Sequence, residues 1–161
     1  MAGHVITIRE AQGDDAEALL AIQREASVAG FSNVFPPERY PYPTDEVREL
    51  WRETLADPDI DAYVAELRGR AVGTVTVNAE FLRQLYVIPS QWDAGIGSQL
   101  LERGLEQMRE RGATRAKLWT LEGNDRGRRF YERRGWTLTD ETRVVPYPPN
   151  PIDVQYAIEL D

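Results

Sequence analysis

The stretch from Leu85 to Gly112 admits few folds. An apolar run, Leu85-Tyr86-Val87-Ile88, ends at Pro89, which can neither donate to a strand ladder nor continue a helix. After a five-residue loop, Gly95-Ile96-Gly97-Ser98 opens a run in which Ile96, Leu100, Leu101, Leu105 and Met108 recur at helical spacing, as far as a glycine suited to the C′ position. Strand thus hands over to helix within one short loop. The first turn of such a helix leaves backbone N–H groups unpaired at the positive end of its dipole, and glycine lets a phosphate come close. The junction is therefore a candidate anion site. It is neither of two common nucleotide loops: a P-loop needs Lys where Gly97 stands, and a dinucleotide fingerprint needs a third glycine where Leu100 stands.

The remaining segments surround this unit with further strands and helices. Residues 4–9, HVITIR, alternate like a half-buried strand, and Asp14-Asp15 open a helix carrying Ala16, Leu19, Leu20 and Ile22 on an apolar face. The segment FSNVFPPERYPYP, with four prolines and four aromatics, reads as an irregular loop. Thr44 begins a second helix with Val47, Leu50, Trp51 and Leu55 on one face, stopped by Pro58. DAYVAEL and AVGTVTV, with a turn at Arg68-Gly69, read as an antiparallel pair, and EFLRQLYVI as a third strand. Beyond the central helix come the strand TRAKLWTL, the short helix NDRGRRFYERR stopped by Gly135, and two late strands joined by PYPPNP. An antiparallel meander passing into strand–helix–strand units predicts an α+β fold. Its mixed central sheet would have about six or seven strands, with about four helices on both faces.

Composition removes several functions. The 161 residues suit one domain, 1–161, and contain neither a repeat nor a membrane-length apolar run. There is no cysteine and one histidine, His4, so a thiol nucleophile, a disulfide and a Cys- or His-built metal centre all lack parts, and any Ser-His-Asp triad would have to be built on His4 alone. A net charge of −8 disfavours nucleic acid. The start of the chain carries no export signal, so a cytoplasmic protein is expected. Chemistry must come from Glu, Asp, Tyr, Lys or Arg.

The pattern L-Y-V-x-P, loop, G-I-G-S-x-L-L resembles the coenzyme A-binding signature of the GNAT acetyltransferases, whose usual form is Q/R-x-x-G-x-G/A. Trp92 stands where that pattern has Gln or Arg, and Asp93 and Ala94 replace a glycine and a basic residue frequent there. The downstream run LWTLEGNDRGRRFYERRGW resembles the family's second signature, in the expected order and spacing. Asn124 is also suited to cap its own helix, and helical spacing gathers Asn124, Gly127 and Tyr131 on one side.

The resemblance implies a fold and a reaction. Acetyl-CoA would be the co-substrate, with no metal, and its pyrophosphate would lie on the amides from Asp93 through Gly95, Ile96 and Gly97 to Ser98, beside Trp92 and Ala94. Leu85, Tyr86 and Val87 would border its thioester, with the Val87 N–H polarising the carbonyl. Asn124 would touch the pantetheine arm, Gly127 would give it room, and Phe130, Tyr131 and Arg133 would complete the site. Tyr131 is the implied general acid. Glu80 is a candidate base, Glu122 a second, and a reaction without a dedicated base a third possibility. The acceptor would be an amine, of a small molecule or a peptide, against Phe31, Phe35, Tyr40, Tyr42 and Tyr147, in a monomer or homodimer. A non-catalytic acyl-CoA-binding regulator or an interaction module is the alternative.

Overall fold

The computed structural model describes residues 5–161, so His4 and the start of the first expected strand lie outside the described residues. The chain runs β1 (Ile6–Glu10), α1 (Ala16–Gly30), α2 (Thr44–Ala56), β2 (Asp61–Leu67), β3 (Arg70–Asn78), β4 (Phe81–Val87), α3 (Ile96–Glu110), β5 (Arg115–Leu121), α4 (Asp125–Glu132), β6 (Thr137–Val144) and β7 (Ile152–Glu159). The strands form one mixed seven-stranded sheet in the order β1-β2-β3-β4-β5-β7-β6.

Local chemistry explains the boundaries. Arg68 and Gly69 both take positive φ, 54° and 76°, the pairing that a two-residue hairpin loop between right-twisted strands requires. Gly112, at φ 89°, ends α3, and Gly135, at φ 90°, follows α4 before β6 begins. In α2, Val47, Trp51 and Thr54 are buried but Leu50 is 51% exposed, against the expectation that it shares their face. At about 100° per residue the buried three cluster within about 60°, and Leu50 falls beyond their edge. The Trp51 indole N–H donates to Gln23 Oε1 at 2.8 Å, locking α2 to α1.

The two sides of the sheet differ. Gly104 of α3 lies against Val75, Val77 and Leu82, so a Cβ there would press on the β3–β4 surface. On the opposite side α1 lies against β3 and β4, where Gln84 Nε2 meets Gln23 Oε1 at 3.4 Å. Strands β4 and β5 run parallel and pair at Phe81 and Lys117. The Lys117 N–H donates to Glu80 O at 2.7 Å, and its ammonium lies 2.9 Å from Glu80 Oε1. Beyond that joint the ladder stops. The C-terminal ends of β4 and β5, at Val87 and Leu121, therefore border the open end of a V-shaped gap in the sheet.

Candidate active site

The gap exposes backbone that a continuous sheet would consume. The Ile88 N–H donates to Val72 O of β3 at 2.9 Å. Backbone groups alternate along a strand, so the N–H groups of Leu85 and Val87 turn away from β3 and into the gap. At the head of α3, Gly95 takes φ 84°, a left-handed conformation that glycine adopts without cost. The first helical bond runs from Gln99 N–H to Gly95 O at 3.2 Å, leaving the N–H groups of Ile96, Gly97 and Ser98 without intrahelical acceptors.

Helix α4 closes the other wall. Asn124 caps it, accepting from the Gly127 N–H at 3.1 Å, while its amide nitrogen donates to Thr120 Oγ1 at 2.9 Å. A Cβ at Gly127 would overlap that capping amide, so this glycine makes room for Asn124 itself and not only for a ligand. Gly97 acts similarly between helices: a Cβ there would stand 3.3 Å from the Phe130 ring.

Between these walls lies a cleft of about 380 Å³. Of the residues singled out from sequence, Leu85, Tyr86, Val87, Trp92, Asp93, Gly95, Gly97, Ser98, Asn124, Gly127, Phe130, Tyr131 and Arg133 line it, as does Phe31. The structure brings these together and leaves others apart. Ile96 is 1% exposed with its side chain in the core, and Ala94 sits on the outside of the loop. Glu80 lies at the closed end of the V, bound to Lys117, five residues of β4 from Val87's neighbour Tyr86 and outside the cleft lining. This departs from its expected role as base: the strand start that bears it is where β4 and β5 are sewn together. Phe35 and Tyr40 also fall outside the lining and pack edge-on with centroids 6.3 Å apart, while Tyr147 is 44% exposed on the β6–β7 loop. The early loop nevertheless reaches the mouth of the gap, where Asn33 Nδ2 donates to Gly123 O at 3.1 Å.

Of the five arginines clustered in sequence on and after α4, Arg126, Arg129 and Arg134 line the cleft beside Arg133, and Arg126, Arg129, Phe130 and Arg133 fall at i, i+3, i+4 and i+7 on one face. Arg128 points away, donating to Tyr156 Oη at 3.0 Å and to Glu122 O at 2.8 Å. Arg134 stacks on Phe130, 3.7 Å from the ring centroid, and donates to Ser98 Oγ.

Trp92 replaces the usual Gln or Arg with a brace. Its indole N–H donates to Val87 O at 2.7 Å, and Arg126 stacks on its ring at 4.3 Å while binding Asp93 at 2.9 Å. The loop, which has no basic residue of its own, thus receives its positive charge from α4. Tyr131 is 8% exposed, and burial pushes its phenol well above the ordinary value, helped by the neighbouring Tyr86. Burial pushes Tyr86 up to about 12, partly offset by a hydrogen bond from Ser27. Both phenols stay protonated at neutral pH.

Residues 27–136 match the sequence model of the acetyltransferase (GNAT) family. The chain belongs to this GNAT family. It is 31% identical over 136 residues to an uncharacterized N-acetyltransferase of Archaeoglobus fulgidus, covering 77% of this chain and 88% of that one. It is 29% identical over 99 residues to the aminoalkylphosphonate N-acetyltransferase of Salmonella typhimurium, covering 55% of this chain and 64% of that one. Among solved structures, the PaiA N-acetyltransferase of Thermoplasma acidophilum, in complex with coenzyme A, superposes with a TM-score of 0.70 at 20% identity, covering 94% of this chain and 98% of that one. The seven-stranded sheet and four helices are the GNAT fold, and the protein is an acetyltransferase by family.

Proposed function

We propose that this GNAT protein transfers the acetyl group of acetyl-CoA to a primary amine by direct attack in a ternary complex. One observation carries the reading: the gap between β4 and β5 turns the free N–H groups of Leu85 and Val87 toward the same cleft that receives the unpaired amides at the head of α3. The cleft fits the coenzyme chemically. A polyanion suits the amides of Ile96, Gly97 and Ser98 with the arginines of α4, and a narrow amide-bearing arm suits a slot lined by strand backbone and Asn124. When bound, acetyl-CoA supplies an activated acetyl thioester. The Salmonella relative's activity, on an aminoalkylphosphonate, supports an amine acceptor.

The chain's own groups then have defined tasks. The Leu85 and Val87 N–H groups are donors for the carbonyl oxygen as negative charge develops on it. As the N–C bond forms and the C–S bond breaks, one proton leaves the amine nitrogen and one reaches the departing sulfur. Tyr131 faces that departure as a hydrogen-bond donor. With a phenol pKa raised above that of a thiol, about 8.5, it stabilises the thiolate by hydrogen bonding while keeping its own proton, and the sulfur takes its proton from water. The amine's proton passes to water, because Glu80 is held elsewhere by Lys117.

The test pairs binding with turnover. Acetyl-CoA should raise the melting temperature of both wild type and Tyr131→Phe, while release of coenzyme thiol in the presence of an amine panel should slow about tenfold to a hundredfold in the variant. A thermal shift with no thiol release from any amine would make the protein a binder only, and no shift at all would remove the coenzyme from the reading.

A further inference from the structure

The side of β5, β7 and β6 away from α4 carries a second polar cluster. Tyr156 and Leu118 are register partners on the α4 side, where Tyr156 Oη donates to Glu132 Oε2 at 2.6 Å. Side chains alternate along strands, so Trp119, Asp153, Gln155 and Arg143 turn to the opposite side. There α1 packs against β3 and β4, and Asp153 is 9% exposed and Gln155 6%.

Arg143 explains part of this burial. It starts on the edge strand β6 and leans inward across β7. Its Nε donates to Asp153 Oδ2 at 3.0 Å, and its guanidinium carbon stands 4.5 Å over the Trp119 ring on β5. The guanidinium is therefore held beside the strand that borders the gap, fixed on one flank by the indole and through Nε by the carboxylate. Its two terminal nitrogens have no protein partner among the described residues, and 55% of the side chain remains exposed. A guanidinium fixed in this way offers the edge that pairs with two oxygens of one acidic group. Leu121, at the mouth of the gap, is the register partner of Asp153, which in turn pairs with Arg143, so the cluster lies level with that mouth. Strands are about 5 Å apart, which separates an amine in the gap from an anion on Arg143 by only a few bonds.

Resting on the proposed amine transfer, we infer that the acceptor is a small primary amine carrying an acidic oxyanion group on a short chain, with Arg143 as its anchor and Asp153 as the positioning residue that orients Arg143. Selectivity is then a property of the strand face opposite α4.

The experiment compares acceptors matched in length on the full chain with acetyl-CoA: propylamine, β-alanine, 2-aminoethylphosphonate and 1,3-diaminopropane. The kcat/KM for an acid-bearing amine should exceed that for propylamine by about tenfold or more, a difference of one good charge-assisted contact. Whichever of β-alanine and the phosphonate is better identifies the acid. Arg143→Met should bring the ratio toward one through KM, Arg143→Lys should restore part of it, and Asp153→Asn should lower it less than Arg143→Met does. Equal rates for propylamine and the acids, or a preference for the diamine, would overturn the inference and leave amine transfer standing. Failure of all four amines while coenzyme still binds would overturn both. If Arg143→Met does not fold, a partial fall of the ratio in Arg143→Lys without loss of melting temperature supports the inference, and an unchanged ratio there overturns it.

Discussion

Position 92 shows how one side chain can change the means of bracing the turn before α3 while the turn survives. A Gln or Arg there would offer its own polar end to an anion. Trp92 instead spends its N–H on Val87 O and its ring on Arg126, so the loop is shaped by an indole and charged by a neighbouring helix. Substitutions separate these tasks. Trp92→Phe should keep the stack and lose one buried hydrogen bond, raising KM for acetyl-CoA about threefold to tenfold, whereas Trp92→Ala should lose both and raise it further, with kcat less affected in each. Steady-state kinetics with varied acetyl-CoA checks this; equal effects from Phe and Ala would mean that the stack contributes nothing. Tyr131 carries a pH consequence. Its folded-state phenol is raised, so the protonated form persists above pH 10, and the rate of the wild type should show no descending limb from this residue between about pH 7 and 10. A rise with pH across the same interval, reflecting deprotonation of the amine, should appear in wild type and Tyr131→Phe alike.

Elements decide which residues those side chains can meet. The strand–loop–helix unit at 85–110 was legible because Pro89 and Gly95 punctuate a sequence whose period changes from strand to helix on either side. Asn124 was legible as a cap because a single amide at a helix start has one dominant structural use. The surroundings of the proposed acceptor were not legible. Whether Phe35 or Tyr147 reaches the gap depends on how a proline-rich loop packs, which local pattern does not encode, while Arg143 became relevant only through its register with Asp153 and a reach across β7 to Trp119. Glu80 stands at the start of the strand that leads to Tyr86, and at about 3.3 Å per residue that start lies well along β4 from the mouth of the gap. That position makes a prediction. Glu80→Gln should remove a partly exposed ion pair at the joint of the V, lowering stability by about 1 kcal/mol or less, and should leave kcat and its pH profile in place. A large loss of kcat with an unchanged melting temperature would return Glu80 to the chemistry.

At the scale of the whole molecule, the sheet must stay rigid enough at its closed end for the gap to keep its shape, and the edge bearing β1 is held by charge. Arg9 of β1 donates to both oxygens of Asp15, each at 2.9 Å, at the entrance to α1, and its Nε lies 3.2 Å from Glu66 on β2. Asp15 also accepts from the Gln12 N–H at 2.6 Å, so one carboxylate joins strand, turn and helix. The hydrogen bonds from Arg9, ahead of that from Gln12, hold the Asp15 carboxyl below its ordinary value of 3.8. A carboxyl lowered by folding contributes stability that is fully present above the unfolded value and is lost as pH falls through the folded one. Arg9 is 40% exposed, so solvent screening leaves the contribution at about 1 kcal/mol. The melting temperature of the wild type should therefore fall as pH drops from about 5 toward 3, and Asp15→Asn should begin lower at pH 7 and fall less steeply over that range. Parallel curves for the two proteins would transfer the acid sensitivity to other carboxylates. Because Asp15 lies beside the edge strand β1, three strands from β4, its loss should leave KM for acetyl-CoA at pH 7 where it was, which separates the strength of the frame from the shape of the site.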